Sequence, residues 1–196
     1  MIFITGDTHG FHDFPKLQRF ATEHPELSES DYMIIAGDFG GVWSEKTLEK
    51  DLAPYQNLPC TVLFIDGNHE NFDLLERYPI EVWNGGKIHR ITDKIIHLMR
   101  GQVYQIDGRS FFTFGGATSI DKYMRREGLE WWPQERPTDA DIIEANKNLE
   151  KVGFEVDFIV THSCDEKALY YPPLSTSFSH GECSRKIKFC LTLKRL

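Results

Sequence analysis

The sequence predicts an α/β layered fold, and two patterns in its hydrophobic residues support that prediction. Short apolar runs rich in Ile, Val, Leu and Phe are too short for helices and are typical of strands buried on both faces. These runs lie at residues 2–4, 32–36, 61–65 and 158–160. Amphipathic stretches separate several of them, and strands that alternate with helices indicate sheets covered by helices.

Amphipathic stretches predict three helices. They lie at residues 14–21, 44–55 and 139–152. The third also carries end signals, because Thr138 can cap its N-terminus with Asp141 at the third helical position, and Gly153 can end it.

The middle of the chain predicts strands in close succession. These strands lie at residues 87–91, 95–98, 102–106 and 110–114. Turn signals separate them at Thr92-Asp93, Arg100-Gly101 and Asp107-Gly108. The pattern favours an antiparallel meander, for which we expect a second sheet.

Length and composition indicate one domain, covering residues 1–196. A chain of 196 residues that is 40% hydrophobic can bury one substantial core. It shows neither a signal peptide nor an apolar run near the ~20 residues needed to cross a bilayer, so we expect a soluble protein. Its 4 cysteines form no Cys-x-x-Cys pair, which favours the reducing cytoplasm. A net charge of −8 disfavours nonspecific nucleic-acid binding.

Metal-binding side chains follow directly after each of the apolar runs. The segments read Gly6-Asp7-Thr8-His9-Gly10, Gly37-Asp38-Phe39-Gly40-Gly41, Gly67-Asn68-His69-Glu70 and Thr161-His162-Ser163. Ligands of open α/β sheets gather at the carboxyl ends of strands, so we expect these segments to converge on one crevice. Turn chemistry is the competing interpretation of each segment alone, since Asp, Asn and Gly are common in loops.

The residue types suit divalent metals. Asp7 and His9 alternate in a segment expected to be extended, so both can point toward one cation. Asp38 has two oxygens that can bridge two ions, while Asn68 and His162 offer an amide oxygen and an imidazole nitrogen. Such mixed ligands favour Mn, Fe, Zn or Co, with Mg possible. Two cations about 3.5–4 Å apart would activate a water and orient a phosphate.

His69 has a separate predicted role. It lies beside Asn68 without being needed as a ligand, so it can hydrogen-bond a phosphate oxygen or protonate the leaving alkoxide. The alternative is that its imidazole only supports packing or the hydrogen bonding around the site.

In their order and spacing, these motifs resemble the calcineurin-like metallophosphoesterases, over residues 2–163. The resemblance implies a four-layer α/β/β/α sandwich of two mixed sheets. It also implies a site in which Asp7 and His9 hold one metal, Asp38 bridges, and Asn68 and His162 hold the other.

The resemblance implies metal-dependent hydrolysis of phosphate mono- or diesters by a hydroxide activated between two divalent ions, with manganese among them. Its implied catalytic residues are Asp38 and His69, the latter steered by Asp66, Glu70 or another carboxylate. The implied substrates are phosphorylated small molecules, nucleotides or phosphoproteins, and no membrane partner is expected.

The C-terminal part departs from this family pattern. Family members close the site with a Gly-His-x-His segment. The given sequence after His162 has a single histidine, His180, which is a possible substitute ligand. The tail at 171–196 is also basic, unlike the acidic body. Two alternatives therefore stand beside the enzyme: a catalytically impaired binding module of the same fold, and an incomplete product of a longer reading frame.

A glycine-rich loop begins at Gly115-Gly116-Ala117. Its glycines allow close approach to a ligand, so Lys122, Arg125 or Arg126 is predicted to contact substrate phosphate. The competing interpretation is a solvated charge run. The following Trp131-Trp132 is expected to pack rather than bind substrate. A similar loop with a downstream Trp-Trp-Pro-Gln-Glu segment occurs in some bacterial and phage-like family members.

Overall fold

A computed structural model describes residues 1–163 and the two-residue strand at 187–188. The strands are β1 (Ile2–Thr5), β2 (Tyr32–Ala36), β3 (Thr61–Ile65), β4 (Ile80–Trp83), β5 (Gly86–Arg90), β6 (Ile95–Leu98), β7 (Gln102–Ile106), β8 (Arg109–Phe114), β9 (Glu155–Val156), β10 (Phe158–Thr161) and β11 (Ile187–Lys188). The α-helices are α1 (Phe14–Glu23), α2 (Leu48–Gln56), α3 (Phe72–Leu75) and α4 (Asp139–Lys151). Short 3-10 helices lie at Gly10–His12, Lys122–Met124 and Pro133–Glu135.

The strands form two mixed sheets. The six-stranded sheet has the order β1-β2-β3-β6-β5-β4, in which β1, β2, β3 and β6 run parallel and β5 and β4 are antiparallel to their neighbours. The three-stranded sheet has the order β10-β8-β7, with β10 parallel and β7 antiparallel to β8. A separate antiparallel pair joins β9 to β11.

Alternating side chains of the strands build three hydrophobic clusters between layers. In β3, Phe64 packs in one cluster with Tyr55 of α2, whereas Leu63 packs in another with Phe111 of the second sheet. Helix α4 covers the far face of the second sheet, where Leu149 packs with Phe112. Because successive strand residues face opposite sides, each sheet is buried on both faces. The four-layer α/β/β/α sandwich of two mixed sheets is confirmed.

The predicted meander is wrong as a single unit. Strands β5 and β6 form a hairpin within the six-stranded sheet, where β6 also pairs parallel with β3. Strands β7 and β8 form a second hairpin in the other sheet. All four residues of β6 are buried, and a strand without an exposed face belongs in the interior of a sheet. The chain therefore changes sheets between β6 and β7.

The predicted helix ends are confirmed best at α4. The Thr138 hydroxyl accepts from the Asp141 backbone N–H while the Asp141 carboxylate accepts from the Thr138 backbone N–H, which makes a capping box. Gly153 follows the helix with φ of 64°. Helix α2 begins at Leu48 rather than Ser44. Within the described part of the chain, no helix is both long and apolar enough to cross a membrane.

Candidate metal centre

The carboxyl ends of β1, β2 and β3 lie side by side at one edge of the larger sheet. The register pairs Thr5 with Ile35 and Ala36 with Ile65, so the loops that follow these strands emerge together. The fourth predicted strand, β10, lies in the other sheet, so its loop reaches the same place from across the sandwich. The site therefore lies where the edges of two sheets meet.

Two of these loops bind each other through their backbones. The N–H of Asp7 donates to the Gly37 carbonyl at 3.1 Å, and the N–H of His9 donates to the Asp38 carbonyl at 2.8 Å. Asp7, His9 and Asp38 have φ angles of 53°, 44° and 52°, in the left-handed region that non-glycine residues rarely adopt. The expected extended conformation of residues 7–9 is wrong. Such conformations cost about 1–3 kcal/mol each and cluster at functional sites.

Asp38 lies between two imidazoles. Its side chain is buried, and its Oδ2 lies 3.5 Å from Nε2 of His9 while its Oδ1 lies 3.5 Å from Nε2 of His162. Oδ1 also accepts a hydrogen bond from the backbone N–H of His69 at 2.9 Å. Each oxygen thus faces a different imidazole nitrogen.

His162 is oriented by a backbone carbonyl. Its Nδ1 lies 2.9 Å from the Ala36 carbonyl oxygen, which accepts only if Nδ1 carries the proton. The lone pair is then on Nε2, which lies 3.2 Å from Oδ1 of Asn68. A Cβ on Gly37 would lie 2.2 Å from His162 Nδ1, so only glycine at this position leaves room for the ring.

Asp7 completes the cluster from the solvent side. Its side chain is 68% exposed, and its Oδ1 lies 4.0 Å from Nδ1 of His162. Ligand atoms of Asp7, Asp38 and His162 all lie within 4.8 Å of one another. With His9 and Asn68 the set offers carboxylate, imidazole and amide donors, a mixture that fits divalent transition metals. The structure brings all five predicted ligands to one place.

His69 lies on the rim of this cluster. Its ring lies 5.5 Å from that of His9, and its Nδ1 lies 3.4 Å from Nη1 of Arg125. Arg125 is itself held by Asp121, through a 2.8 Å ion pair. Burial lowers the pKa of His69, Asp38 opposes that effect, and Arg125 lowers the pKa further. Because arginine only donates, Nδ1 acts as acceptor and the proton of the neutral ring is on Nε2.

Of the three cations predicted to meet substrate, Arg125 reaches this cluster, whereas Arg126 is exposed. Lys122 instead places its ammonium 5.6 Å from the ring centroid of Trp131. Trp132 is buried and donates its indole N–H to Asp73 at 2.9 Å, in agreement with the expected packing role.

The acids that were expected to steer His69 have other partners. Burial raises the pKa of Glu70 well above its usual range, and its carboxyl accepts the backbone N–H of Phe39 at 2.8 Å. Burial would also raise the pKa of Asp66, but Arg100 and His97 outweigh it and hold that pKa at about 2. Both acids therefore hold the loops that carry Asp38 and Asn68 in place, and neither steers His69.

Sequence reasoning gave no role to Ser119 and Glu135, which are linked to Asn68 by hydrogen bonds. The side-chain amide of Asn68 donates to Oγ of Ser119 at 3.1 Å, and Ser119 is bonded to Glu135. The signal available in the sequence was the Gly115-Gly116 pair, which was predicted to approach a ligand and instead packs closely against the backbone of Asp66 and Glu135. His180, the predicted substitute ligand, lies outside the described residues.

Comparison with known proteins identifies the family of the chain. Comparisons with curated proteins and with solved structures find no match. The family model of the calcineurin-like phosphoesterases matches residues 1–173, which is most of the chain. The chain therefore belongs to the calcineurin-like phosphoesterase family.

Proposed function

We propose that this chain hydrolyses phosphate mono- or diesters at a centre of two divalent metals, held by Asp7, His9, Asp38, Asn68 and His162. The observation that carries the proposal is the position of Asp38, whose two oxygens face His9 and His162 at 3.5 Å each. Family membership supports the reaction class, because the family consists of phosphoesterases.

The chemistry divides between the metals and the side chains around them. When bound, the two ions supply an activated hydroxide and neutralise charge on the phosphate. His69 presents an Nε2–H, since Arg125 occupies its Nδ1 side, and that proton can be donated to a phosphate oxygen. Arg125 keeps further guanidinium donors for the same phosphate. Of the two roles open to His69, this arrangement favours hydrogen bonding over protonation of the leaving group.

Substrate class follows in part from charge. A net charge of −8 favours compact phosphorylated molecules, such as nucleotides or phosphorylated side chains, over the backbone of a nucleic acid. The divalent ions of Mn, Fe, Zn and Co all suit these ligands.

We assign one domain to residues 1–196. We place the protein in the reducing cytoplasm, in keeping with the buried free thiol of Cys60.

Turnover of model esters tests the proposal. The purified chain is assayed with p-nitrophenyl phosphate and with its bis ester, in the presence of Mn²⁺, Zn²⁺, Co²⁺ or Mg²⁺. We expect metal-dependent release of p-nitrophenol that chelation abolishes, and the preferred ester distinguishes a monoesterase from a diesterase. Absence of turnover with every metal would overturn the enzymatic assignment.

A binding module of the same fold is the second candidate. The residues given after His162 contain no Gly-His-x-His segment, and this departure from the family pattern is the observation that favours the module. Metal analysis separates the candidates. Two tightly bound ions per chain support the enzyme, whereas one weakly bound ion or none supports the module.

A further inference from the structure

Two buried residues, Ser119 and Glu135, hold the side chain of Asn68 through a chain of hydrogen bonds. Ser119 and Glu135 are 3% and 1% exposed. The Ser119 hydroxyl donates to Oε2 of Glu135 at 2.7 Å, and the Ser119 backbone N–H donates to Oε1 at 2.8 Å. Both oxygens of this carboxylate are therefore engaged by one residue, which is itself bonded to Asn68.

Close backbone contacts hold this pair in place. A Cβ on Gly115 would lie 2.4 Å from the Asp66 carbonyl oxygen, and a Cβ on Gly116 would lie 2.6 Å from that of Glu135. The N–H of Gly116 donates to the Asp66 carbonyl at 2.8 Å, and Arg100 donates to the Glu135 carbonyl at 3.2 Å. The loop at 115–119 is thus fixed against the strand end that carries Asn68.

The direction of these hydrogen bonds determines the orientation of the Asn68 amide. A carboxylate only accepts, so the Ser119 hydroxyl donates its hydrogen bond to Glu135, and Oγ is left to act as an acceptor toward Asn68. That acceptor requires the NH₂ group of Asn68, and the amide oxygen must then face His162, which lies 3.2 Å away. We infer that Ser119 and Glu135 are positioning residues that keep the amide oxygen of Asn68 turned toward a metal ion. This inference rests on the proposed metal centre.

Replacing Glu135 with glutamine reverses the direction of the chain of hydrogen bonds without changing its shape. The new amide donates to Oγ of Ser119, whose proton is then free to bond the Asn68 oxygen, and the amide of Asn68 can turn over. Loss of such an orienting partner reduces metal affinity by about 10- to 100-fold. We therefore expect Glu135→Gln to weaken one of two Mn²⁺ sites by that factor.

The experiment measures Mn²⁺ affinity and stoichiometry by isothermal titration calorimetry on metal-free protein. The variants are Glu135→Gln, Ser119→Ala and Asn68→Ala, and the double variant Asn68→Ala/Glu135→Gln. Glu130→Gln is the matched control, because Glu130 lies on the same segment and accepts a hydrogen bond from the exposed backbone N–H of Arg126. Thermal unfolding of each metal-free variant shows whether the fold is kept.

Two results together support the inference. Glu135→Gln and Ser119→Ala weaken one Mn²⁺ site while Glu130→Gln does not, and Glu135→Gln causes no further loss once Asn68 is alanine. The inference is overturned if Glu135→Gln and Ser119→Ala both bind Mn²⁺ with wild-type affinity. It is also overturned if Glu135→Gln lowers Mn²⁺ affinity as much in the Asn68→Ala background as in the wild type, because the effect would then not be transmitted by Asn68. If Glu135→Gln does not fold, Ser119→Ala decides alone. Failure of the wild type to bind Mn²⁺ would instead refute the proposed metal centre and this inference with it.

Discussion

Asp38 is the residue on which the proposed centre depends most. Asparagine in its place keeps the shape, tolerates the left-handed conformation and still accepts the His69 N–H, but it loses the charge that a bridging ligand supplies. We expect Asp38→Asn to bind one Mn²⁺ fewer per chain. We expect its kcat/KM on the preferred p-nitrophenyl ester to fall by at least about 10²-fold. Metal analysis and steady-state kinetics measure these effects.

Asp107→Asn is the matched control for this change. Asp107 is an exposed turn residue with φ of 49°, close to the 52° of Asp38, so the two substitutions share their charge change and their backbone conformation. The control is expected to keep both ions and full activity. Equal losses in the two variants would show that Asp38 has no special role.

His69 allows a separate test, because its predicted contact is with substrate rather than metal. His69→Gln removes the Nε2–H that we assign to the phosphate, and loss of one such donor lowers kcat by about 10²- to 10³-fold. The number of bound Mn²⁺ ions should not change. His24→Gln, near the surface beside Glu26, is the control with the same chemical change. Unchanged kcat in His69→Gln would exclude His69 from the reaction.

At this scale the sequence predicted which candidate ligand side chains come together better than it predicted the residues that support them. Asp7 and Asp38 each follow a strong strand pattern, and a carboxylate in that position is recognisable from the sequence as a candidate metal ligand. Ser119 and Glu135 are ordinary loop residues whose importance depends on burial and on one hydrogen-bond partner distant in sequence. The left-handed conformation of His9 was also not predictable, since it is imposed by the neighbouring loop.

Among the glycines in the described part of the chain, Gly67 in the turn after β3 leaves the least room for a side chain. A Cβ on Gly67 would lie 2.0 Å from Oδ1 of Asp38, and its φ is not in the left-handed region, so the effect of a methyl group here is purely steric. We expect Gly67→Ala to displace Asp38, to reduce Mn²⁺ binding and to lower the free energy of unfolding by about 1–3 kcal/mol. Calorimetry and urea unfolding measure these two effects.

Gly6→Ala provides the control at the equivalent end of β1. A Cβ there would meet its nearest atom, the Ala36 carbonyl oxygen, at 3.5 Å, which is ordinary van der Waals contact. This variant should keep metal binding and stability within about 0.5 kcal/mol of the wild type. If Gly67→Ala behaves like Gly6→Ala, the loops are looser than the structure indicates.

Local patterns predicted individual elements but not all of their partners. The continuous apolar runs of β1, β2 and β3 and the capping signals of α4 are local properties, and the structure confirms them. The hairpins β5–β6 and β7–β8 are local as well. Their separation into two sheets depends on the pairing of β6 with β3, which begins 34 residues earlier, and hydrophobic alternation carries no information about that partner.

The whole molecule places the site where its two sheets meet. His162 directly follows β10 of the second sheet, and its ring occupies the space left by Gly37 at the end of β2 in the first. A bound metal should therefore link the two sheets of the sandwich. A ligand that binds only the folded state stabilises by mass action, by about 2.7 kcal/mol at 100 times its Kd. Mn²⁺ should raise the Tm of the wild type and affect Asp38→Asn less, which a thermal melt measures.

The whole fold also predicts a loss of stability in acid. His89 and His97 are 4% and 5% exposed, and their Nδ1 atoms lie 3.1 Å apart, so one must donate and the other accept. Burial, reinforced by His97, lowers the pKa of His89 from 6.5 to about 4. Between these values the unfolded chain binds a proton that the folded chain does not. Stability should therefore fall as the pH drops from 6.5 toward 4, by up to about 3 kcal/mol.

Urea unfolding of the metal-free protein at pH 7 and pH 4.5 tests this origin of acid sensitivity. Acids with depressed pKa values, such as Asp66 at about 2, lose their contribution only at lower pH, whereas the raised pKa of Glu70 opposes the loss within this window and the lowered pKa of His69 adds to it. The difference between His89→Gln and the wild type therefore isolates the contribution of His89. Since His89→Gln cannot titrate, its stability should change with pH by about 2–3 kcal/mol less than that of the wild type. His24→Gln should keep the wild-type dependence. Parallel behaviour of His89→Gln and the wild type would show that protonation of this buried pair does not limit the stability of the sandwich.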